Sequence, residues 1–449
     1  MPLYATVLAL RDADTGTTAV VVDLDLLLLP FSLANALRAA VAELTGVPRE
    51  HVRVSATHAH SGPSVAPTWV KEGGDLIAPY VGSLPGIVAG AAWEALRACR
   101  PARVAHGTGS CDLAVNRRFR APDGRIVVGR NPEGFVDRSV RVLRFDDADE
   151  RPLAALVHYA CHPILMAWEN RLLTPDYPGA ARATVEQVTG VPCVFLQGCA
   201  GDSGPADVFT EGHTGDTHFY RRAGAMLGAE ASRVFLGLER SHRRPHFSRV
   251  LESGAPLAVY ATGPLEEPDG AVDVVSEKVA LPVRSFPLPD EAERQAADAS
   301  AELESLRRVH PDGSEAVHQA NVRAKHAQMH ASHARLTEGR SDVEVELLAI
   351  RVGGAALLGA PMEVFGALGD AVARESPFAW TAVSGYSNGS AGYLPTRAAA
   401  DEGGYEVETA SPFTREAGER FVAAAGAALR RLHAGRGERG AKEAAWVSR

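Results

Sequence analysis

Along the first part of the chain, segments with the hydrophobic pattern of a β-strand alternate with segments that have the pattern of an amphipathic helix. Residues 18–29 form a nearly continuous apolar run, which is typical of a strand that is covered on both faces. Ser32 is the predicted N-cap of a helix that ends at Gly46, and residues 52–56 alternate as a second strand. The apolar stripe of this helix consists of Leu33, Leu37, Val41 and Leu44. A further helix is predicted to begin at Ser83, with a proline in its first turn, so the pattern indicates an α/β fold.

Two predicted hairpins indicate that the sheet is mixed rather than all parallel. Residues 139–150 lead as a strand into an acidic turn, and residues 153–161 return as a second strand. Farther along, residues 343–352 and 355–359 flank a Gly-Gly pair, which is a strong signal for a two-residue hairpin. We therefore expect a mixed sheet that is flanked by helices.

The segment 289–339 differs in character from the rest of the chain. It is rich in Ala, Glu, Arg and His, has few β-branched residues, and is divided by a Pro-Asp-Gly sequence at 311–313. This composition predicts two helices that form a hairpin inserted on the sheet. Residues 1–433 are accordingly interpreted as one domain that contains this insertion, and residues 434–449 as a disordered tail.

Composition narrows the classes of function. The chain has 449 residues, of which 46% are hydrophobic and 22% charged, so it can bury a large core. A formal net charge of -9 and a pI near 6.0 argue against a nucleic-acid partner, because phosphate binding requires a basic face. We expect a small-molecule or lipid substrate instead, and the sequence does not indicate an oligomeric state.

The sequence also bears on compartment and on membrane contact. Its five cysteines are scattered and form no Cys-x-x-Cys pair, which favours reduced thiols over a disulfide framework. The N-terminus lacks the features of a secretory signal, and no uninterrupted apolar stretch is expected to reach the roughly 18–20 residues that span a bilayer. We therefore expect a cytoplasmic protein whose contact with lipid is at most peripheral.

His58 and His60 follow the strand predicted at 52–56. Because side chains two residues apart in a strand point to the same side, both imidazoles are expected to reach one site. Zinc favours neutral imidazole nitrogens, and a catalytic zinc keeps one coordination position for water. A His-x-His sequence by itself fits a metal site and an ordinary polar strand end equally well, so other residues have to decide between the two.

Three further residues at predicted strand ends are candidates for the same site. His162 follows an apolar strand and precedes a proline that makes the turn rigid, although alone it fits a core or turn histidine as well. Glu363 follows the strand 355–359, where the dipole of the next helix can also favour a carboxylate. Tyr393 lies in a glycine-rich loop and carries little information by itself.

The stretch 55–63, Ser-Ala-Thr-His-Ala-His-Ser-Gly-Pro, resembles the signature of the neutral/alkaline ceramidase family. Further matches follow in the family's order along most of the chain. They are Asn116-Arg117, His162, Gly201-Asp202 with Pro205, Pro361 with Glu363, and Ser387-Asn388 with Tyr393. The resemblance is to the catalytic domain in a short form, without the β-sandwich domain that follows it in longer ceramidases.

The resemblance implies a zinc-dependent hydrolase that cleaves an amide bond in ceramide or another N-acyl lipid. The implied zinc ligands are His58, His162, Glu363 and Tyr393. His60 and Arg117 are implied beside the reacting bond, where an imidazole can move protons and a guanidinium can stabilise an oxyanion. Arg117 also fits a structural arginine that pairs with a carboxylate, and the adjacent Arg118 is an alternative candidate.

One position departs from the family's pattern. The family has a serine directly before the proline of this loop, whereas this chain has Gly204 there and Ser203 one residue earlier. Ser203 can take the catalytic serine's place if the loop shifts, and water activated by zinc does not require a serine nucleophile. Two alternatives therefore stay open. One is a zinc hydrolase of a non-lipid amide or ester, and the other is a non-catalytic binding protein on the same fold.

Three other groups of residues have more ordinary interpretations. Three histidines share one helical face, and they are His326, His330 and His333. Their polar neighbours indicate a solvated surface rather than a metal site. The turn at 198–201 lacks the Gly-Lys-Ser/Thr ending of a phosphate-binding loop. Cys161 and Cys199 lie in apolar sequence, which favours inert thiols.

Overall fold

The computed structural model describes residues 1–66, 73–166, 170–211, 213, 216–239, 243–264 and 270–447, with side chains up to residue 435. The strands are β1 (Ala5–Arg11), β2 (Thr18–Leu24), β3 (Val52–Ala56), β4 (Ala102–Ser110), β5 (Ala114–Arg120), β6 (Ile126–Asn131), β7 (Ser139–Asp147), β8 (Pro152–Tyr159), β9 (Cys193–Gln197), β10 (Ser203–Pro205), β11 (Arg243–Leu251), β12 (Leu257–Pro264), β13 (Val272–Pro282), β14 (Asp342–Val352), β15 (Ala355–Gly359), β16 (Glu363–Val364), β17 (Trp380–Ser384) and β18 (Tyr393–Leu394). The α-helices are α1 (Phe31–Thr45), α2 (Ile77–Arg97), α3 (Asp176–Thr189), α4 (Thr217–Gly237), α5 (Pro289–Val309), α6 (Glu315–Thr337), α7 (Gly366–Arg374), α8 (Arg397–Glu402), α9 (Tyr405–Glu408) and α10 (Ala417–Val447).

Three sheets carry the architecture, in the orders β1-β2-β3, β4-β7-β8-β9 and β13-β14-β15-β17, and β10-β5-β6 is a further three-stranded sheet. Each of the first three ends in one parallel pair, which is β2 with β3, β8 with β9, or β15 with β17. The other neighbours in these sheets are antiparallel. The predicted α/β class with a mixed sheet flanked by helices is confirmed, although the strands divide among several sheets.

The core lies in layers between the sheets and under the helices. The sheets share an apolar layer that includes Val21, Leu156, Leu348 and Leu357. Helices α1 and α2 cover the first sheet, α3 and α4 the second, and α7 and α10 the third. Burial of one such side chain contributes about 1.5–3 kcal/mol, so these layers hold the strand ends in fixed positions.

The first predicted elements differ in detail from the structure. β2 ends at Leu24, and the rest of the apolar run continues as a loop, because a continuous apolar run does not distinguish a strand from a buried loop. The N-cap of α1 is Pro30 without a side-chain hydrogen bond, so the prediction of Ser32 as the cap is wrong. Gly46 ends the helix with a left-handed φ of 75°, as predicted. Leu44 is 52% exposed, so the buried stripe is shorter than predicted.

Helix α2 begins at Ile77 and not at Ser83, and Pro85 therefore lies inside it. An interior proline costs about 3 kcal/mol, which the packing of Leu84, Val88 and other apolar side chains against the first sheet offsets. By length and composition the helical stretch Gly74–Arg97, a 3-10 turn followed by α2, could cross a membrane. It is the one such stretch among the described residues, and core helices pass the same test, so the expectation of no clear transmembrane segment is not overturned.

The two predicted hairpins and the helical insertion are present. β7 pairs antiparallel with β8, and β14 with β15, while α5 and α6 pack against each other. His333 on α6 is buried, so the prediction of a solvated histidine face is wrong at this position. The reason is that α6 packs against the loop before β18, where a Cβ on Gly392 would lie 3.3 Å from Nε2 of His333.

The C-terminal helix α10 continues to Val447, through most of the segment 434–449 for which the sequence predicts disorder. The domain bounds 1–433 and the character of the tail stay predictions. The five cysteines are free, as expected, and burial raises the pKa of the Cys161 and Cys199 thiols, which agrees with inert thiols.

Candidate metal centre

Four polar side chains from distant parts of the chain meet at one point. Nε2 of His58 lies 3.1 Å from Nε2 of His162, and each of these atoms lies 3.3 Å from Oε2 of Glu363. The hydroxyl oxygen of Tyr393 lies 3.2 Å from Nε2 of His162. A tetrahedral zinc ion with bonds of about 2.0–2.1 Å separates its ligand atoms by roughly 3.3–3.4 Å. The four side chains therefore meet at spacings that fit one zinc ion.

The second nitrogen of each imidazole determines which atoms face this point. Nδ1 of His58 lies 2.6 Å from the carbonyl oxygen of Leu27, and Nδ1 of His162 lies 2.6 Å from that of Ala200. Because carbonyl oxygens only accept, both Nδ1 atoms donate and both Nε2 atoms present lone pairs. Oε2 of Glu363 is buried and has no hydrogen-bond partner among the described residues. Three acceptor atoms thus face one another, and a cation between them would satisfy all three.

The protonation states in this cluster suit metal binding. Desolvation and the Arg117 guanidinium lower the pKa of His162 to about 3. Desolvation and the neighbouring histidines lower the pKa of His60 well below its ordinary value. At neutral pH His60 and His162 are therefore neutral imidazoles, the form that coordinates a metal ion.

Strand ends bring the four side chains together. β16 and β18 pair in parallel with Glu363 opposite Tyr393. His162 follows β8, and His58 follows β3, each of which belongs to a parallel pair. His58 has a positive φ of 66°, which is uncommon outside glycine. The two histidines of the His-x-His sequence therefore meet because of a turn after the strand and not because they alternate within it.

The loop with Gly201 and Asp202 supports the strand that carries Glu363. The Gly201 amide donates to the carbonyl oxygen of Val364 at 3.0 Å, and a Cβ on Gly201 would lie 2.5 Å from the carbonyl oxygen of Glu363. Only glycine allows this approach. Oδ1 of Asp202 accepts from the Gly366 amide at 2.7 Å. The Gly-Asp pair is therefore a brace for the cluster.

Arg117 links the cluster to a buried carboxylate. Its Nη2 donates to the Tyr393 hydroxyl at 3.0 Å, and its Nε donates to Oε1 of Glu406 at 2.9 Å. Arg118 also pairs with Glu406, but its guanidinium otherwise bonds to Glu402 and backbone carbonyls and lies 5.6 Å from the Phe365 ring centre. Of the two arginines, Arg117 is the one that reaches the cluster. It forms the ion pair of a structural arginine as well, and its part in stabilising an oxyanion stays a prediction.

His60 lies on the solvent side of the cluster. Its Nε2 is 3.3 Å from Nε2 of His58, and the residue keeps contact with solvent on its outer side although other groups crowd its ring on the inner side. The nearest ligand atoms of His58, His60 and His162 all lie within 4.8 Å of one another. His60 can therefore either complete a three-histidine site or exchange protons with a group bound at the open side.

Ser203 and Gly204 point to opposite sides of the short strand β10. The Ser203 hydroxyl is buried and donates to the carbonyl oxygen of Ala160 at 3.3 Å. Among the described hydrogen bonds, none joins this hydroxyl to the four converging side chains. The loop has thus not shifted to bring the Ser203 side chain to the four converging side chains. Successive residues of a strand point to opposite sides, so Ser203 points away from the side on which a residue at position 204 would place its side chain. A Cβ on Gly204 would lie 3.6 Å from the Phe209 ring and 3.7 Å from Ile164.

Three residues beside the cluster were not found by the sequence interpretation. The Tyr386 ring lies 4.3 Å from the His58 ring, and its buried hydroxyl has no hydrogen-bond partner among the described residues. The Tyr405 ring lies 6.0 Å from the Tyr393 ring, and desolvation and the Glu363 carboxylate raise its pKa to about 12. Glu406 is 1% exposed. The only sequence signal was that Tyr386 directly precedes the Ser-Asn pair of the resemblance.

The fold and the cluster together define a class of protein. The chain is an α/β protein with several mixed sheets, and a candidate metal centre lies where strand ends from these sheets meet. The buried acceptors His58, His162 and Glu363 and the Tyr393 hydroxyl form this centre. Such a donor set suits zinc and leaves room for a further ligand on the side of His60.

Two solved structures share this fold. One is a ceramidase complexed with C2, which has 18% sequence identity and a TM-score of 0.69. The other is the neutral ceramidase from Pseudomonas aeruginosa, with 20% identity and a TM-score of 0.66. Each comparison covers 96% of this chain and 70% of the other. The chain therefore has the fold of the neutral ceramidases. No protein-family model matches it, and a comparison with curated protein sequences gives no match either.

Proposed function

We propose that the chain is a zinc-dependent hydrolase that cleaves the amide bond of ceramide or of another N-acyl lipid. The observation that carries this proposal is the meeting of three buried acceptor atoms on His58, His162 and Glu363. Such an arrangement is costly without a cation between the atoms. The fold shared with neutral ceramidases supports the choice of amide hydrolysis as the reaction.

The residues of the cluster divide into holding and reacting groups. His58, His162, Glu363 and Tyr393 would hold the ion. Zinc in such a site lowers the pKa of a coordinated water towards about 7 and polarises a carbonyl group. His60, neutral and open to solvent, would take a proton from the attacking water and transfer it to the leaving amine. The Arg117 guanidinium, beside the Tyr393 hydroxyl, would stabilise negative charge on the carbonyl oxygen.

The surroundings of Gly204 bear on the substrate. A Cβ at this buried glycine would contact the Phe209 ring and Ile164, and apolar surroundings of this kind fit an acyl chain. The glycine, which lacks the hydroxyl of the family's serine, favours a second candidate, a zinc hydrolase of a non-lipid amide or ester. We further propose a cytoplasmic location, which the unpaired cysteines support.

The test is hydrolysis of a panel of N-acyl substrates by the full chain, with ceramide, a short N-acyl amine and a polar amide as its members. Metal content is measured on the same preparation. We expect bound zinc and turnover that a chelator removes and added zinc restores. His58→Ala should lose both zinc and turnover, because it removes one ligand.

His318→Ala is the matched control, because His318 is an exposed histidine on α6 far along the chain from the cluster. It should retain zinc and turnover. Activity that survives both chelation and His58→Ala would exclude the zinc mechanism. Zinc binding without turnover of any substrate in the panel would favour a binding protein, and turnover of the polar amide alone would favour the second candidate.

A further inference from the structure

Helix α2 presents an apolar surface that nothing in the described residues covers. No charged residue occurs between Asp75 and Glu94. The helix is long and apolar enough to cross a membrane, yet only 22% of its most apolar stretch is buried. Leu84, Val88 and Ala92 pack inward, so the opposite side of the helix is open. An exposed apolar surface of this extent usually marks an interaction site.

The open side of the helix includes the exposed side chains of Leu76 and Ile87, and beside them a strip of residues runs along the helix axis. The residues of the strip are Asp75, Pro79, Gly82, Gly86, Gly90, Trp93 and Arg97. From Pro79 to Arg97 they recur at spacings of three and four, which places them on one side of the helix, and Asp75 lies in the 3-10 turn Gly74–Leu76 that leads into it. A Cβ on Gly82, Gly86 or Gly90 would meet no atom within 4 Å. The middle of the strip is therefore a shallow groove that another helix can approach closely.

The strip is symmetric about Gly86, and its charges are complementary to themselves. If a second copy lies antiparallel across a two-fold axis at Gly86, Asp75 of each copy lies opposite Arg97 of the other. Both residues are exposed, and the Arg97 guanidinium is already held 4.7 Å from the Trp93 ring centre. Two equivalent ion pairs would then close the two ends of the contact.

The same arrangement matches the shapes in the middle of the strip. Gly82 of one copy lies opposite Gly90 of the other, so the two backbones can approach where both lack side chains. Pro79 lies opposite Trp93, which is 43% exposed, so a proline ring would cover an exposed indole. Ridges and grooves that interlock in this way are the usual basis of helix packing.

We infer that α2 is the contact surface of a symmetric dimer, with a second copy of this chain as its partner. A bilayer surface is less suited to this side of the helix, because interfacial helices present several basic residues to the lipid headgroups and no Lys or Arg occurs here before Arg97. One helix pair buries less area than most stable dimers, so the dimer should be concentration-dependent.

The first test is the mass of the full chain by sedimentation and light scattering, at low and at high protein concentration. We expect a shift from monomer to dimer as the concentration rises. Gly86→Arg should remain a monomer throughout, because it fills the groove at the axis. It should still fold, since no atom lies near that Cβ. Gly237→Arg is the matched control: Gly237 is an exposed helical glycine of α4, also without a neighbour, and its variant should dimerise like the unchanged chain.

Two further variants test the register. Asp75→Arg alone should weaken the dimer, and Asp75→Arg combined with Arg97→Asp should restore it. Gly86→Cys should form an intermolecular disulfide under mild oxidation, because residue 86 meets its own copy at the axis, whereas Gly90→Cys should not. A monomer at every concentration, a Gly86→Arg dimer, or a double charge variant without rescue would overturn the inference. Binding of neutral or anionic vesicles by the monomer, lost in Gly86→Arg, would assign the strip to a lipid surface instead.

Discussion

Replacement of Glu363 by glutamine should have opposite effects on stability with and without metal. In the metal-free chain Oε2 of Glu363 is a buried acceptor without a partner, and it faces the lone pairs of His58 and His162. The amide of glutamine can donate to one of these imidazole nitrogens at the present spacing of 3.3 Å. Glu363→Gln should therefore stabilise the metal-free fold while it removes an anionic zinc ligand.

The magnitude follows from the cost of an unsatisfied buried acceptor, which is about 1–3 kcal/mol. Unfolding entropy of about 2.1 cal/mol/K per residue gives roughly 0.9 kcal/mol/K for 449 residues. In chelator, Glu363→Gln should thus raise the Tm by about 1–3 °C. Zinc at a thousand times its Kd stabilises the folded state by about 4 kcal/mol. The Tm of the unchanged chain should therefore rise by about 4 °C on addition of zinc, and the Tm of the variant should not.

The assay is thermal unfolding of the unchanged chain and the variant, each in chelator and in excess zinc. Glu375→Gln, at an exposed carboxylate, is the control and should follow the unchanged chain in both conditions. The expected signature is a reversal of order: the variant is more stable in chelator and less stable in zinc. If Glu363→Gln is the less stable protein in chelator as well, the three-acceptor interpretation of the cluster is wrong.

Three other substitutions have expected outcomes that follow from single contacts. Gly201→Ala should reduce zinc affinity and lower the unfolding free energy by about 1–3 kcal/mol, because the added Cβ would lie 2.5 Å from the Glu363 carbonyl oxygen. Calorimetry of unfolding and of zinc titration measures the two effects. Gly204→Ser should fold, since its Cβ would be in ordinary van der Waals contact at 3.6 Å, and should lower the unfolding free energy by at most about 1–3 kcal/mol, the cost of a buried hydroxyl without a partner. It should raise the rate of ceramide cleavage relative to that of a polar amide. Desolvation raises the pKa of Asp176 to about 6, so its stabilising contribution is complete below about pH 4 and is lost as the pH rises through 6. In a series of denaturation measurements between pH 4 and 8, the unfolding free energy of Asp176→Asn should therefore rise by up to about 3 kcal/mol relative to that of the unchanged chain. A difference that does not depend on pH would contradict this.

The sequence predicts those parts of the fold that depend on local pattern. Alternating and continuous apolar runs gave the hairpins of β7 with β8 and β14 with β15, and composition gave the pair α5 and α6. Local pattern does not determine where an element begins when tertiary packing decides, and α2 is the example. Its first residue, Ile77, lies eight positions before Pro85, whose ring would ordinarily mark the first turn. Only the packing of α2 on the first sheet makes the longer helix stable.

The candidate site could be predicted as a set of residues but not as a geometry. The ordered motif matches name His58, His162, Glu363 and Tyr393, and these are the side chains that converge. The positive φ of His58 and the orphaned Oε2 of Glu363 depend on contacts from other strands, which no local spacing reveals. Tyr386 was missed for the same reason, because its ring meets His58 from a loop more than three hundred residues farther along the chain.

The metal cluster and the position that departs from the family belong to separable parts of the structure. Gly201 and Asp202 brace the strand of Glu363 through hydrogen bonds to its backbone and to that of Gly366, whereas Gly204 pairs with Val115 of β5, and a Cβ there would contact the Phe209 ring and Ile164. A change at Gly204 can therefore alter which substrate is accommodated without a shift in any candidate zinc ligand. Alternation along β10 adds to this separation, because it keeps Ser203 bonded to the Ala160 carbonyl when its neighbour changes. It follows that metal affinity should be nearly the same in Gly204→Ser and in the unchanged chain, while substrate preference differs.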